Sequence, residues 1–173
     1  MCVSADGTSI LWRTGSGGIL VSGTTASFVG VSGLPAQSVI AADKKDAKTF
    51  YGASGSSFYI SRDAGRTFSR SGTLGSSYSP YKIAVHPTVA GNIWVSTTTG
   101  LFYSTNFGAT FKAVSGVSRA WDIALGAAPS SGRYPAVFAT AKISEAGGVY
   151  RSDDTGVGLL PLVRGDDVLR HLL

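Results

Sequence analysis

The chain is 173 residues long, carries a formal net charge of +5 and is only 14% charged, so it is of single-domain size and long enough to bury a core. Its 23 glycines and abundant Ser and Thr suit a turn-rich all-β protein rather than a helical one. The basic residues are scattered, the densest run being Lys44, Lys45 and Lys48, which reads as solvated loop charge rather than a nucleic-acid footprint, and no apolar run approaches the length of a membrane span.

Taken in chain order, the first unit is predicted to hold strands over residues 10–14 and 19–22, a shortened turn motif over 22–28 and a closing strand over 28–32. The second runs 38–42, 49–54, 58–61 and 68–71, and its third and fourth strands are joined by Ser61-Arg62-Asp63-Ala64-Gly65-Arg66-Thr67-Phe68. The third runs 81–85, 92–97, 101–104 and 111–115, joined by Ser104-Thr105-Asn106-Phe107-Gly108-Ala109-Thr110-Phe111. The fourth runs 121–125, 135–141 and 149–152, and its copy begins Ser152-Asp153-Asp154-Thr155-Gly156 before Leu159 replaces the closing aromatic.

These copies share the pattern Ser-x-Asp/Asn-x-Gly-x-Thr-Phe, and the motif serines Ser22, Ser61, Ser104 and Ser152 lie 39, 43 and 48 residues apart. Spacings of that size fit one four-stranded antiparallel unit per repeat, as in a β-propeller blade. About four blades are expected, over residues 1–34, 35–77, 78–118 and 119–158, an incomplete propeller. The motif has a mechanical reading, that of an Asp box. The Asp or Asn side chain accepts turn amides, Gly permits a positive φ, and the aromatic packs between sheets. Ser61, Asp63, Gly65, Phe68, Ser104, Asn106, Gly108, Phe111, Ser152, Asp154 and Gly156 are therefore expected to be structural, since a staple recurs in every blade and an active site is needed once.

The strings 4–12, 50–59, 94–102 and 134–138, together with 150–156, resemble fungal family-74 glycoside hydrolases over nearly the whole chain, from about Cys2 to Gly158. Asp boxes alone are shared with sialidases and sortilin-like receptors; the longer strings are more specific. The resemblance implies two seven-bladed propellers facing each other, with xyloglucan in the cleft between them. It also implies inverting hydrolysis of backbone β-1,4-glucosidic bonds, which needs one carboxylic acid and one carboxylate. In that family the pair comes from Asp-x-Gly-Gly-aromatic segments, one per lobe, and no Asp-x-Gly-Gly occurs here. The expected identity is thus part of the C-terminal lobe of such an enzyme, inactive alone. Its expected partners are a xyloglucan or related β-glucan oligosaccharide and the remainder of the propeller pair. The alternative is a non-catalytic carbohydrate- or protein-binding propeller. A sialidase-type hydrolase is disfavoured because Glu145 is the only glutamate.

Asp6 is the one substitute candidate for catalysis, but the repeat aligns it with Asp43 and His86 in the turn between first and second strands. Asp43, Asp46 and Asp122 have no stronger claim. One cysteine and two separated histidines, His86 and His171, give no metal site, nucleophile triad or cofactor site. The expected substrate-binding residues are aromatics on the ligand-face loops: Tyr78, with Tyr81 nearby, in the 75–81 blade link, Trp121 opening an inner strand after the 115–120 link, and Tyr134 beside the 126–135 insertion. Trp12 and Trp94, inside strands, are expected in the core. The leucine-rich tail, residues 159–173, is expected to diverge from the family and to form a short helix or an unstructured apolar end. An extracellular location follows from the resemblance alone, since the chain shows no export signal.

Overall fold

In the computed structural model, which describes residues 1–14, 19–22, 27–75, 79–155 and 158–164, every described regular element is a strand. The first sheet holds β1 (Cys2–Val3), β2 (Ile10–Arg13), β3 (Ile19–Ser22) and β4 (Phe28–Gly30). The second holds β5 (Val39–Ala42), β6 (Phe50–Ser54), β7 (Ser57–Ser61) and β8 (Ser69–Thr73). In the third are β9 (Pro80–Val85), β10 (Ile93–Thr97), β11 (Gly100–Ser104) and β12 (Lys112–Ala113). The fourth comprises β13 (Val117–Leu125), β14 (Val137–Ile143), β15 (Ala146–Ser152) and β16 (Leu160–Arg164). Each sheet is antiparallel with its strands in sequence order, a propeller blade. The first strands of successive blades lie side by side, β1 on β5, β5 on β9 and β9 on β13, and so form the inner edge.

The ladders share one register in all four sheets. The first residue of each second strand pairs with the last serine of the third: Ile10 with Ser22, Phe50 with Ser61, Ile93 with Ser104 and Val137 with Ser152. With period-two alternation, that register assigns each residue to one blade face. Leu11 and Val21 of the first blade pack on Ala42, Phe50 and Phe68 of the second. Tyr51, Ala53, Phe58 and Ile60 pack on Ile83, Ile93, Val95 and Phe102 of the third, and Trp94 and Leu101 pack on Ala120, Ile123, Val137 and Ala139 of the fourth. The core is thus three layers between blades.

Two expectations are corrected. Trp94 is fully buried, but Trp12 is 44% exposed. Trp94 is the second residue of its strand and faces the fourth blade, whereas Trp12 is the third residue of β2 and faces away from the second blade, where it meets Phe28 edge-on and stays half-exposed. The tail is corrected too, since Leu160–Arg164 is the outer strand of the fourth blade and pairs with Gly148, Val149, Tyr150 and Arg151. The free edge of β15 needs backbone partners, and an extended segment supplies them whatever its side chains. Pro161, without an amide hydrogen, sits on the edge strand, where a sheet tolerates it. Residues 165–173, like Tyr78 and Gly156, lie outside the described residues.

Candidate functional site

An up-and-down blade has two ends. One carries the first-to-second and third-to-fourth turns; the other carries the second-to-third turns and the links between blades. At the first end the motif turns close on themselves. Asp63 accepts Ser61 Oγ at 2.7 Å, the Arg66 and Thr67 amides at 3.1 and 2.9 Å, and Thr67 Oγ1 at 2.6 Å, while Ser61 Oγ accepts the Gly65 amide at 3.0 Å. Asn106 repeats this with Ser104 Oγ at 2.8 Å and the Thr110 amide at 3.0 Å, and Ser104 Oγ accepts the Gly108 amide at 3.0 Å. In the fourth blade Asp154 accepts Ser152 Oγ at 2.6 Å and the Gly158 amide at 2.9 Å. The left-handed residues Ala64 and Gly65, and then Phe107 and Gly108, turn the chain. Phe68 is buried, and Phe111 meets Phe58 edge-on with ring centroids 4.9 Å apart. Partial burial opposes ionisation of Asp63, but the bonds from Thr67, Ser61 and Arg66 outweigh it and hold the carboxyl below its ordinary range.

The first-to-second turns share a second device. Asp6 accepts the Thr8 amide at 3.0 Å, Asp43 accepts the Lys45 and Asp46 amides at 2.8 and 2.9 Å, and His86 Nδ1 accepts the Thr88 and Val89 amides at 3.1 and 3.0 Å. All three cap the same turn in their own blades. Hydrogen bonds from Ser4 Oγ and Thr8 take the Asp6 carboxyl down to about 2, the reverse of what a leaving-group acid requires. Asp43 does more, because its other oxygen takes Tyr51 OH at 2.6 Å and the Gly91 amide of the next blade at 2.9 Å. It is completely buried, which disfavours the charge, yet these donors keep it ionised below the usual carboxylate range. Sequence register places Asp43 in this turn, but its tie to the next blade has no local sequence signal.

His86 must be unprotonated at Nδ1 to accept two amides, and burial pushes its pKa down. A depressed histidine stabilises the fold fully above its unfolded pKa, near 6.5, and that contribution is lost as pH falls through the lower folded value. Thermal melts at decreasing pH should therefore show a loss beginning near pH 6.5 that is absent in His86→Asn, whose side-chain oxygen can accept the same amides without titrating. An unchanged pH slope in that variant would refute the assignment.

The His86 ring lies edge-on to Tyr134, centroids 4.8 Å apart, and Tyr134 OH accepts the Trp94 indole N–H at 2.9 Å. Between these turns and the β13–β14 loop is a cleft of about 640 Å³ whose walls include His86, Asn92, Arg133 and Tyr134 and, among the described residues, no carboxylate. The expected sugar-facing position of Tyr134 changes accordingly. Its loop joins a first strand to a second, so it leaves the blade at the motif-turn end, and its ring and hydroxyl are already engaged between the third and fourth blades.

At the inner edge the register aligns Tyr81 of β9 with Trp121 of β13, each four residues before the one that pairs with the start of the second strand. Both are exposed, at 42% and 40%. Trp121 does not open its strand, as the sequence spacing implies, but lies within it at a register shift between Ala120 and Asp122. The Arg119 guanidinium stands 6.0 Å from the Trp121 ring centroid and its Nε donates to the Thr98 carbonyl in the β10–β11 turn at 3.2 Å, which sets this strip toward the link end. Lys82 bridges to Asp122 at 2.7 Å across the two strands. Burial of Asp122 works against its charge, but Lys82 and the Ile123 amide prevail and its carboxyl stays low. Two aromatic faces flanked by fixed charges form a surface able to stack and hydrogen-bond a polyhydroxylated ring. Among the described residues no group of three or more His, Cys, Asp or Glu could hold a metal ion.

No family profile matches the chain. A xyloglucanase of Hypocrea jecorina is 45% identical to it over 154 residues, covering 88% of this chain and 18% of the relative. A xyloglucanase of a Paenibacillus species is 30% identical over 164 residues, covering 90% of this chain and 16% of the relative. In structure, the GH74 xyloglucanase from Xanthomonas campestris superposes with a TM-score of 0.84 at 27% identity, over 94% of this chain and 24% of that one. The chain therefore spans less than a fifth of the length of these two curated relatives.

Proposed function

Because the chain belongs to the family-74 glycoside hydrolases, we propose that it is part of an enzyme that cleaves the β-1,4-glucan backbone of xyloglucan, to which it contributes a substrate-holding wall rather than the reacting carboxylates. The observation that carries this reading is the exposed pair Tyr81 and Trp121, in register on adjacent inner strands. An inverting glycosidase needs one carboxyl with a raised pKa and a second carboxylate across the scissile bond. Asp6, Asp43, Asp63 and Asp122 are all shifted the other way and are occupied by turn amides, hydroxyls or Lys82. Their roles are structural. A polysaccharide cannot cross a membrane, so an enzyme that meets the intact polymer works outside the cell, and the protein is assigned there.

Calorimetric titration of the purified chain with xyloglucan oligosaccharides should show weak binding, and Tyr81→Ala and Trp121→Ala should each weaken it about severalfold, since a stacked ring is worth on the order of 1 kcal/mol. The chain alone should release no reducing ends from xyloglucan. Parent-like binding by both variants would sink the platform, and hydrolysis abolished in Asp6→Asn would return Asp6 to the chemistry.

A further inference from the structure

The cleft bordered by His86 and Tyr134 is built wholly from within the chain. One wall is the β9–β10 turn, residues 86–92, and the other is the β13–β14 loop, residues 126–135, on two blades that pack against each other. The loop is held by its own backbone. The Gly126 amide donates to the Ala136 carbonyl at 2.8 Å, the Ala136 amide to the Ala127 carbonyl at 3.2 Å and the Arg133 amide to the Ser130 carbonyl at 3.2 Å. Tyr134 is pinned by the Trp94 indole and packs on the His86 ring. At about 640 Å³ the space has the size of a preformed small-molecule site.

Its polar groups are left over from the fold. His86 is only 5% exposed, and because Nδ1 accepts the Thr88 and Val89 amides, the ring proton sits on Nε2, where no described residue accepts it. A buried donor without an acceptor is costly, and an acceptor brought into the cleft satisfies it. Arg133 pairs with no carboxylate among the described residues, and the Asn92 side-chain amide has no partner among them either. Ser130 and Ser131 add two hydroxyls to the same walls. Burial holds His86 neutral, so Arg133 is the one cation lining the cleft among the described residues.

We propose that this cleft binds an acidic sugar, a single ring bearing one carboxylate, with the Arg133 guanidinium and the His86 Nε2–H on the carboxylate and Asn92, Ser130 and Ser131 on the hydroxyls. The charge count selects this class. One cation matches one negative charge, the guanidinium fork matches the two oxygens of a carboxylate, and a phosphate dianion would be left half neutralised. A neutral sugar gives the guanidinium no charge to meet. The site is separate from Tyr81 and Trp121, because both its walls are first-to-second turns at the motif-turn end of the blades, whereas those rings lie toward the link end. It stands whether or not that aromatic pair holds xyloglucan.

Nuclear magnetic resonance titration of the purified, nitrogen-labelled chain with glucuronate tests this, beside glucose and inorganic phosphate. Glucuronate should bind with a dissociation constant on the order of 1 mM, and glucose at least about tenfold more weakly. The His86 Nε2 resonance should move during the glucuronate titration, since its N–H gains an acceptor. Arg133→Ala, which truncates an exposed side chain, should weaken glucuronate binding about tenfold. His86→Asn, which still caps its turn but withdraws the donor from the cleft, should weaken it about severalfold. Thermal melts will confirm that the variants remain folded, and Arg133→Ala decides alone if His86→Asn does not. Equal affinity for glucose, parent-like binding by Arg133→Ala, or shifts confined to Tyr81 and Trp121 would overturn the proposal. So would phosphate binding as tightly as glucuronate, which would mean an anion site with no use for the sugar ring.

Discussion

Replacing Asp43 by alanine is expected to destabilise the protein by about 4 kcal/mol, within the range measured when one partner of a buried charged network is removed. Four donors converge on this carboxylate: the Lys45 and Asp46 amides, Tyr51 OH and the Gly91 amide. Two of the four come from outside its own turn. Alanine would leave the Tyr51 hydroxyl and the Gly91 amide without their acceptor in a site where Asp43 itself has no exposed surface. For a chain of this length that cost corresponds to a melting temperature lowered by roughly 10 °C, read by calorimetry. Asp43→Asn should lose less, since one amide oxygen remains to accept. A drop below about 1 kcal/mol for the alanine variant would show that water satisfies these donors and that the tie between the second and third blades is weak.

The same carboxylate sets an acid limit. Its folded pKa lies below the ordinary value near 3.9, so the stability it confers is complete above that value and is lost as pH falls through the folded pKa. Asp63 and Asp122 are shifted in the same direction, so acid unfolding below about pH 4 should become shallower in Asp43→Ala without vanishing.

Much of this fold is legible in the sequence because a propeller writes each rule several times. One Ser-x-Asp string is ambiguous; spaced by four strands, Ser61 and Ser104 fix the register of every other strand, and the ladders place both opposite the start of a second strand. The misplacements occur where the repeat gives no second copy. Trp12 and Trp94 both sit in second strands, but burial depends on which side of the blade a residue faces and on whether a blade stands there. The tail has no counterpart elsewhere in the chain, and leucine propensity points to a helix, but hydrogen bonding to the open edge of β15 decides for a strand. At the candidate site Trp121 is conspicuous as an aromatic beside a link. Tyr81 becomes its equal only when the two first strands are brought into register. Tyr134 is the exception, placeable from the repeat itself, because its segment falls between the strands read over 121–125 and 135–141, a first-to-second turn like that of Asp6, and such turns leave the blade at the motif-turn end.

Substituting alanine for Gly33 is expected to cost about 3 kcal/mol, although the change adds one methyl group near the surface. Gly33 has a φ of 75°, and a Cβ built there would lie 2.0 Å from the Phe68 carbonyl oxygen of the next blade. Beside it, the Ser32 amide donates to the Arg66 carbonyl at 3.1 Å and the Phe68 amide to the Ser32 carbonyl at 2.9 Å, a short parallel bridge that joins the first blade to the motif turn of the second. The obstacle is backbone, which cannot swing aside as a side chain can, so the two blades must part and both bonds lengthen. Gly7 provides the control. Its φ is also 75°, yet a Cβ there would meet nothing within 4 Å, so Gly7→Ala should carry only the left-handed conformational cost of about 1 kcal/mol. Denaturant melts of the two variants separate the effects. If Gly33→Ala lost no more than Gly7→Ala, the close approach would have relaxed at no cost, and the glycine would be needed for its turn alone.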